Sequence, residues 1–239
     1  MNPELFSFCP ELQQLIASRR TVGRSGKVFE GVGALSSVNN LFTIRSLCME
    51  LKPKQTMEVG FCFGGSGLVF TASHRDLGHA PQRQHIALDP FQSSVWDDAG
   101  ILTMERARLT DWLDFRPSFS SFELPAMQKN GCRFDLVYID GSHLFEDVFV
   151  DAYFISKLLA QGGVVLFDDS TDPHVAKVLH FIQTNFTKIL TPFPLECYRA
   201  DEGASLKYRL ARLLGRTQLI AFQKLSDNER PWNARFANF

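Results

Sequence analysis

Short apolar runs that alternate with amphipathic segments limit what this chain can fold into. The runs "FDLVYID" (134–140) and "GGVVLFDD" (162–169) are apolar at consecutive positions, as in strands buried on both faces. Between them, apolar residues of 146–160 recur near helical spacing. Strands and helices that alternate in this way form a parallel sheet covered by helices on both sides. The pattern therefore predicts an α/β fold with a doubly wound sheet.

The remaining elements follow from the same patterns. Strands are predicted at 56–60, 84–89, 113–115, 134–140 and 162–169, and the segments 192–199 and 218–225 are β-like. Helices are predicted at 10–19, from Ser36 or Ser37 to 51, and at 66–76, 98–109, 122–129, 146–160 and 173–186. The last of these helices is predicted to have Asp172 as its N-cap and Pro173 in its first turn. The glycine-rich stretch 21–34 is predicted to be a loop.

The domain organisation is predicted to be simple. The sequence contains no internal repeat, low-complexity tract or linker, so 1–239 is expected to form one domain. Residues 1–35 would be an N-terminal extension or a mobile cover, hinged at its glycines, and 36–239 the core with the C-terminal strands.

Composition excludes several classes of partner. With a net charge of −1 and a pI of about 6.6, the chain has no global field that would recruit nucleic acid or an anionic membrane. The N-terminus lacks a basic, apolar leader, and no apolar run is long enough to span a membrane. The five cysteines are widely spaced and form no CxxC pair, which favours a reducing, cytoplasmic location.

The stretch "TMEVGFCFGGSG" (56–67) points to a ligand at the end of the first predicted core strand. A phosphate-binding P-loop would need a Lys-Ser/Thr pair after the glycines, and a dinucleotide fingerprint would need glycine where Cys62 stands. Glu58 beside the turn suits a cationic ligand, and S-adenosylmethionine (SAM) carries both a sulfonium and an ammonium. Asp89, at the end of the next strand, can accept both ribose hydroxyls. The alternative is that the glycines make a plain turn and Asp89 caps a loop.

Three carboxylates follow two later strands. Asp140 ends the strand at 134–140, and Asp168 and Asp169 end the one at 162–169. If these strands are neighbours, the carboxylates converge and favour a hard cation such as Mg²⁺, Ca²⁺ or Mn²⁺. The alternative is capping of the next helix, but Asp172 already supplies that cap. His143 can act as the catalytic base for an acceptor hydroxyl, or it can pack the loop and hold Asp140.

The segments "MEVGFCFGGSG", "IALDPFQ", "SFELP" and "FDLVYIDGSHLFEDVFVDAYFISKLLAQGGVVLFDDS" resemble class I SAM-dependent methyltransferases. They are most similar to the branch of macrocin-type sugar O-methyltransferases, with catechol O-methyltransferase a more distant relation, over about 36–186. The resemblance implies a Rossmann-like sheet of seven strands, mostly parallel with an antiparallel last strand. It also implies a role for each site residue. The amino-acid end of the cofactor would be surrounded by Glu58, Gly60, Gly65 and Ser66, while Asp89 would bind the ribose and Ser121 would lie near the adenine. Mg²⁺ would be bound by Asp140, Asp168 and Asp169.

The expected function is therefore SAM-dependent O-methylation of a small molecule, with Asp140 and His143 as the catalytic pair. A metal that chelates two adjacent oxygens would favour a diol acceptor such as a sugar or a catechol. Two alternatives are a methyltransferase-like binding protein without turnover and a nicotinamide-dependent oxidoreductase, which Cys62 and Glu58 disfavour. The basic stretch 207–216 is predicted to be a connecting helix. The aromatic tail 230–239 is predicted to dock on its own domain or on a second subunit, which allows a homo-oligomer.

Overall fold

A computed structural model describes residues 3–199, 217–227 and 230–239. It contains a seven-stranded sheet in the order β5-β4-β3-β6-β7-β9-β8, and a separate two-stranded hairpin, β1-β2. The strands are β1 (Arg20–Val22), β2 (Val28–Glu30), β3 (Thr56–Val59), β4 (His85–Leu88), β5 (Leu113–Arg116), β6 (Phe134–Ile139), β7 (Leu159–Phe167), β8 (Leu190–Phe193) and β9 (Ile220–Lys224). The helices are α1 (Pro10–Ser18), α2 (Val38–Leu51), α3 (Gly65–Asp76), α4 (Ala99–Ala107), α5 (Ser120–Lys129), α6 (Phe145–Leu158) and α7 (Pro173–Asn185).

The sheet confirms the predicted α/β, Rossmann-like class. Strands β3 to β7 are parallel, and the last strand, β9, runs antiparallel to both β7 and β8. Strand β3 is buried at all four positions because β4 and β6 flank it and helices cover both faces. The carboxyl ends of β3, β4 and β6 consequently meet at one edge, which is where doubly wound sheets bind ligands.

Two predicted helix starts are confirmed by their caps. The Ser37 side chain accepts a hydrogen bond from the backbone N–H of Asn40 and so begins α2. Asp172 accepts from the N–H of His174, and Pro173 takes the first helical position of α7. Both residues satisfy amide groups that a helix start leaves without an intrahelical partner.

Two other predictions were wrong in part. Residues 20–30, where a loop was predicted, form the β1-β2 hairpin, in which Arg20 pairs with Glu30 at 3.2 Å and Val22 lies opposite Val28. Its strands have only three residues each, so an alternation of apolar and polar residues cannot be recognised in this glycine-rich stretch. The β-like segment 192–199 holds only the end of β8, followed by a 3₁₀ turn. The predicted helix at 207–216 lies outside the described residues.

The N-terminal segment packs on the rest of the chain. Phe6 and Leu12 share a buried cluster with side chains of α2 and α3. Further along, Arg24 forms ion pairs with Asp98 at 3.1 Å and with Glu105 at 3.0 Å. These contacts hold the N-terminal segment against helices α2, α3 and α4.

The C-terminal tail docks on its own chain, one of the two predicted outcomes. The rings of Phe239 and Phe181 lie 5.0 Å apart, and Asn185 of α7 exchanges two hydrogen bonds with the backbone of Ala237. Within the described residues, no helix combines the length and apolar character needed to cross a bilayer.

The cover role of 1–35 remains a prediction, and hydrogen exchange can check it. A Cβ added at Gly33 would meet no neighbour within 4 Å, whereas the carbonyl oxygen of Gly31 accepts from Arg19 at 2.8 Å, so we expect a hinge nearer Gly33. We expect the amides of 20–36 to exchange more slowly when S-adenosylhomocysteine (SAH) is bound, since 33–36 line the cavity described below. Equal, strong protection with and without SAH would identify a fixed extension instead.

Candidate active site

A cavity of about 670 Å³ opens at the carboxyl edge of the sheet. Its volume falls within the range of small-molecule sites. The loops after β3, β4, β5, β6 and β7 all contribute to its wall, together with the segment before α2 and Gln218. Seven of the predicted site residues line it: Gly60, Asp89, Ser121, Asp140, His143, Asp168 and Asp169.

The turn after β3 requires glycine for two reasons. Gly60 has a φ of +92°, and a Cβ there would overlap the carbonyl oxygen of Asp140. Gly64, also at positive φ, precedes the first turn of α3. Gly65 and Ser66 follow and line a smaller cavity of about 20 Å³ beside the main one. The close packing of this turn against the end of β6 brings the predicted cofactor loop next to the predicted catalytic loop.

Asp89 lies at the end of β4 and holds the glycine turn. Its Oδ2 accepts from the backbone N–H of Cys62 at 2.8 Å and of Phe61 at 3.3 Å, and its Oδ1 accepts from the N–H of Phe91 at 2.7 Å. Each carboxylate oxygen accepts about two hydrogen bonds. Oδ1 therefore keeps a site for a ribose hydroxyl, while Oδ2 has a structural role that the sequence did not reveal.

Glu58 is placed differently from the other predicted cofactor residues. It is fully buried, and its Oε1 lies 3.0 Å from Nε2 of His85. Burial raises the pKa of Glu58 to about 8, although a hydrogen bond from Ser66 acts in the opposite direction and lowers it. Burial also lowers the pKa of His85 to about 3. The pair is therefore an uncharged hydrogen bond at neutral pH, and Glu58 does not line the main cavity.

The buried Glu58 predicts a dependence of stability on pH. Because its folded pKa lies above the unfolded value of about 4.5, the unfolded state ionises first. The stabilisation that Glu58 contributes is fully present below about pH 4.5. As the pH rises from there to about 8, the free energy of unfolding falls by at most roughly 1.4 kcal/mol per pH unit. When the free energy of unfolding is measured with urea at pH 5, 6 and 7, it should decline less steeply with pH in Glu58→Gln than in the wild type. The exposed Glu196→Gln is the control, and equal slopes in Glu58→Gln and the wild type would contradict the assignment.

A hydrogen-bonded network surrounds the carboxylates of Asp140 and Asp168. Asn40 donates to both oxygens of Asp168 at 2.9 Å, and the hydroxyl of Tyr138 donates to Asp168 Oδ2 through a short contact. Ser36 donates to Asp140 Oδ2 at 2.9 Å. Burial, and then the neighbouring Asp168 charge, raise the pKa of Asp140 well above its usual range; burial also raises that of Asp168. The network stabilises two carboxyl groups that would otherwise repel each other.

His143 and Asp169 face each other across the cavity floor. Nε2 of His143 lies 3.0 Å from Asp169 Oδ2, and Gln218 donates to Asp169 Oδ1 at 3.2 Å. Asp169 has a φ of +48°, a strained backbone conformation that is found preferentially at functional sites. One ligand atom from each of Asp140, His143 and Asp169 lies within 4.8 Å of the others. Two of the three predicted metal ligands therefore come together, with His143 in place of Asp168.

Sequence reasoning missed the residues that support these groups. Ser36, Asn40 and Gln218 come from distant parts of the chain, and no motif marks them. Tyr138 lies in a strand that reads as uniformly apolar, so its hydroxyl looked incidental. Phe91 and Trp96, two aromatic residues that follow Asp89 in the sequence, also line the cavity.

A family model matches the part of the chain that forms this site. Residues 57–170 match the family model described as a methyltransferase domain. That segment runs from β3 to the residue after Asp169, and so includes the glycine turn, Asp89 and the acidic cluster. A search of curated proteins found no match.

Solved structures show the fold over most of the chain. The O-methyltransferase from Bacillus cereus in complex with SAH is 16% identical, with a TM-score of 0.63 over 92% of this chain and 91% of that one. TomG from Streptomyces achromogenes, an O-methyltransferase of tomaymycin synthesis in complex with SAM, is 15% identical, with a TM-score of 0.60 over 81% and 82%. CalS11, a TDP-rhamnose 3'-O-methyltransferase of calicheamicin biosynthesis, is 15% identical, with a TM-score of 0.55 over 77% and 78%. The chain thus shares the fold of these O-methyltransferases.

Proposed function

We propose that this protein is a SAM-dependent methyltransferase that methylates a hydroxyl of a small molecule. One observation carries the proposal: the glycine turn with Asp89 and the cluster of Asp140, His143 and Asp169 face the same cavity. A cofactor site and a proton-accepting group then lie on one side of the sheet, as methyl transfer requires. The methyltransferase domain match and the fold of the SAM- and SAH-bound O-methyltransferases support the same reaction class.

The order of the loops supports an extended cofactor along the sheet edge. The amino-acid end would lie at Gly60, Gly65 and Ser66, the ribose at Asp89 and the adenine near Ser121. Glu58 would act on this end indirectly, through Ser66, because its carboxyl group is buried against His85. The N-terminus of α3 also favours the carboxylate of the amino-acid end.

The reaction needs alignment and a base. An acceptor oxygen attacks the methyl carbon, the carbon–sulfur bond breaks and its electron pair stays on sulfur, which gives SAH and a methyl ether. The hydroxyl proton goes to His143. Nε2 of His143 lies 3.0 Å from Asp169 Oδ2, so a proton carried on Nε2 would face that carboxylate. Nδ1 would then carry the lone pair that accepts the hydroxyl proton, with Asp169 as the positioning residue. The in-line geometry lowers the barrier by holding both reactants in place.

A divalent cation, with Mg²⁺ as the first candidate, is proposed beside Asp140, Asp168 and Asp169. The donor set fits in part: Asp140 and Asp169 offer oxygens close together, while His143, the third group near them, stays the proposed base. Asp168 would need to release Asn40 or Tyr138 to bind directly. When bound, such a cation would lower the pKa of an acceptor hydroxyl and chelate two adjacent oxygens. That chemistry favours a diol, so a sugar-like acceptor is the first candidate.

Cofactor binding can be tested before the acceptor is known. Calorimetry should detect SAM and SAH but not NAD, because Cys62 and the turn geometry leave no pyrophosphate site. Asp89→Ala should weaken SAH by at least tenfold, since it removes the ribose acceptor and loosens the turn. Asp114→Ala, on the neighbouring strand β5, is the control. Unchanged affinity in a folded Asp89→Ala protein, or equal binding of NAD, would contradict the proposal.

Metal dependence is tested separately by chelation. If a cation organises the acceptor, exhaustive dialysis against EDTA should abolish most methyl transfer, and added Mg²⁺ should restore it. SAH affinity should change little in the same samples, which separates loss of the acceptor site from loss of the fold. Full transfer after dialysis would discard the cation and leave His143 with Asp169 as the proton acceptor.

A further inference from the structure

A second cavity, of about 570 Å³, lies between α1, β1 and α4. Four residues of α1, three of β1 and two of α4 form its described wall, and none of them lines the active-site cavity. The volume of this α1–α4 cleft falls within the range of small-molecule sites. None of the roles proposed above uses it, so it is a candidate for a separate ligand.

The charge of the α1–α4 cleft is opposite to that of the active-site cavity. Among the described residues, six aspartates and no lysine or arginine line the active-site cavity. The α1–α4 cleft instead has Arg20 and Arg106 in its wall, against one acidic residue, Glu11. The chain as a whole has a net charge of −1, so this positive excess is local. An anion is therefore attracted to the cleft and repelled from the active-site cavity.

The two arginines keep hydrogen-bond donors for a ligand. Nη2 of Arg106 donates to Thr103 Oγ1 at 2.8 Å, which holds the side chain along α4. Arg20 pairs with Glu30 at 3.2 Å, but both side chains are more than half exposed, so water screens this pair. A guanidinium has five N–H donors in a planar fork, and one bond to a neighbour leaves others for a ligand. That fork matches a carboxylate, which it binds through two parallel hydrogen bonds.

The wall of the α1–α4 cleft also contains a buried hydroxyl without a partner. Thr21 occupies the buried, central position of β1 and is 5% exposed, yet its Oγ1 has no hydrogen-bond partner among the described residues. Thr103, which is buried in the same wall, differs because its hydroxyl donates to the carbonyl of Ala99 and accepts from Arg106. An unpaired buried hydroxyl costs free energy, so Thr21 points to a ligand that completes it.

We propose that the α1–α4 cleft binds a small organic carboxylate with an apolar body, at a site separate from the active site. The carboxylate would accept hydrogen bonds from the two arginines and from the hydroxyl of Thr21. Leu15 and Val22, which also line the cleft, would contact the apolar body. The inference goes beyond the proposed function and does not depend on it, because no residue of the cleft takes part in that function.

The test compares two ligands that differ in charge but hardly in shape. Benzoate and its neutral isostere benzamide are titrated into the full-length wild type, freed of metal by dialysis against EDTA, and binding is followed by NMR. The wild type should bind benzoate about fivefold more tightly or better, because hydrogen bonds to an ionised acceptor are roughly twice as strong as those to a neutral one. Saturating SAH should leave the benzoate affinity unchanged, since SAH is expected in the other cavity.

Two variants locate benzoate in the α1–α4 cleft. Arg106→Gln removes the guanidinium of an exposed side chain and should weaken benzoate by about fivefold or more. Thr21→Val keeps the shape of the side chain, removes only the hydroxyl, and should weaken benzoate by about two- to tenfold. Arg108→Gln is the matched control, because it removes the same charge from an exposed side chain just beyond α4 that does not line the cleft. It should keep the wild-type affinity.

The wild type alone can overturn the inference, so misfolding of a variant cannot rescue it. Absence of saturable benzoate binding, equal binding of benzamide, or displacement of benzoate by SAH would each do so. Unchanged affinity in folded Arg106→Gln, or an equal loss in Arg108→Gln, would also overturn it. A preference for benzoate that SAH does not affect, and that falls in Arg106→Gln and Thr21→Val, supports the site. If SAH does not bind, the proposed function fails, and the comparison of benzoate with benzamide still decides this inference.

Discussion

Replacing His143 with alanine should lower methyl transfer by about 10²- to 10⁴-fold, the usual contribution of a positioned general base. SAH affinity should stay nearly constant, because the proposed cofactor contacts, at the glycine turn and at Asp89, do not include the imidazole. The effect should therefore fall on kcat, measured with saturating cofactor on a diol acceptor.

The exposed His180, on α7, provides a matched control for His143. His180→Ala removes the same chemical group without touching the cavity and should leave turnover unchanged. Recovery of His143→Ala by excess Mg²⁺ would indicate that the imidazole binds a cation rather than the proton. Wild-type turnover in His143→Ala would remove His143 from the mechanism and shift the proton to a carboxylate of the cluster.

The sheet could be predicted from the sequence because its strands are buried on both faces. Strands β6 and β7 are apolar at consecutive positions, and only a strand covered on both sides tolerates that pattern. The hairpin at 20–30 could not be predicted in the same way. Its stability comes from cross-strand contacts such as Arg20 with Glu30, and from Phe29 against Phe63 and Trp96, which are distant in sequence.

The site could be predicted only where a strand end fixes the side chain. Asp89, Asp140 and Asp169 are brought to one edge by topology, which the strand pattern already implies. The direction of a side chain at that edge depends on tertiary partners. Glu58 turns to His85 and does not line the main cavity, whereas Asp168 lines the cavity with its oxygens held by Asn40 and Tyr138. Spacing locates the backbone, whereas hydrogen-bond partners decide where the carboxylate points.

Replacing Gly60 with alanine should disrupt both stability and cofactor binding. Two costs add: a positive φ costs an L-residue about 1 to 2 kcal/mol, and the new Cβ would overlap the Asp140 carbonyl oxygen, which costs about 1 to 3 kcal/mol more. Relief of the overlap must move the turn away from the loop after β6. We therefore expect a fall of about 2 to 5 kcal/mol in the free energy of unfolding, and a loss of SAH binding of at least tenfold in the protein that remains folded.

A control variant at Gly26 separates the cost of backbone strain from the cost of the Cβ overlap. It has nearly the same φ, +90° against +92°, but a Cβ there meets nothing within 4 Å. Gly26→Ala should therefore cost only the first contribution, about 1 to 2 kcal/mol, and leave SAH affinity unchanged. The difference between the two variants in urea unfolding measures the overlap with Asp140 alone. If both variants lose the same stability and both bind SAH normally, the close approach of the cofactor turn to the catalytic loop is not what requires glycine at position 60.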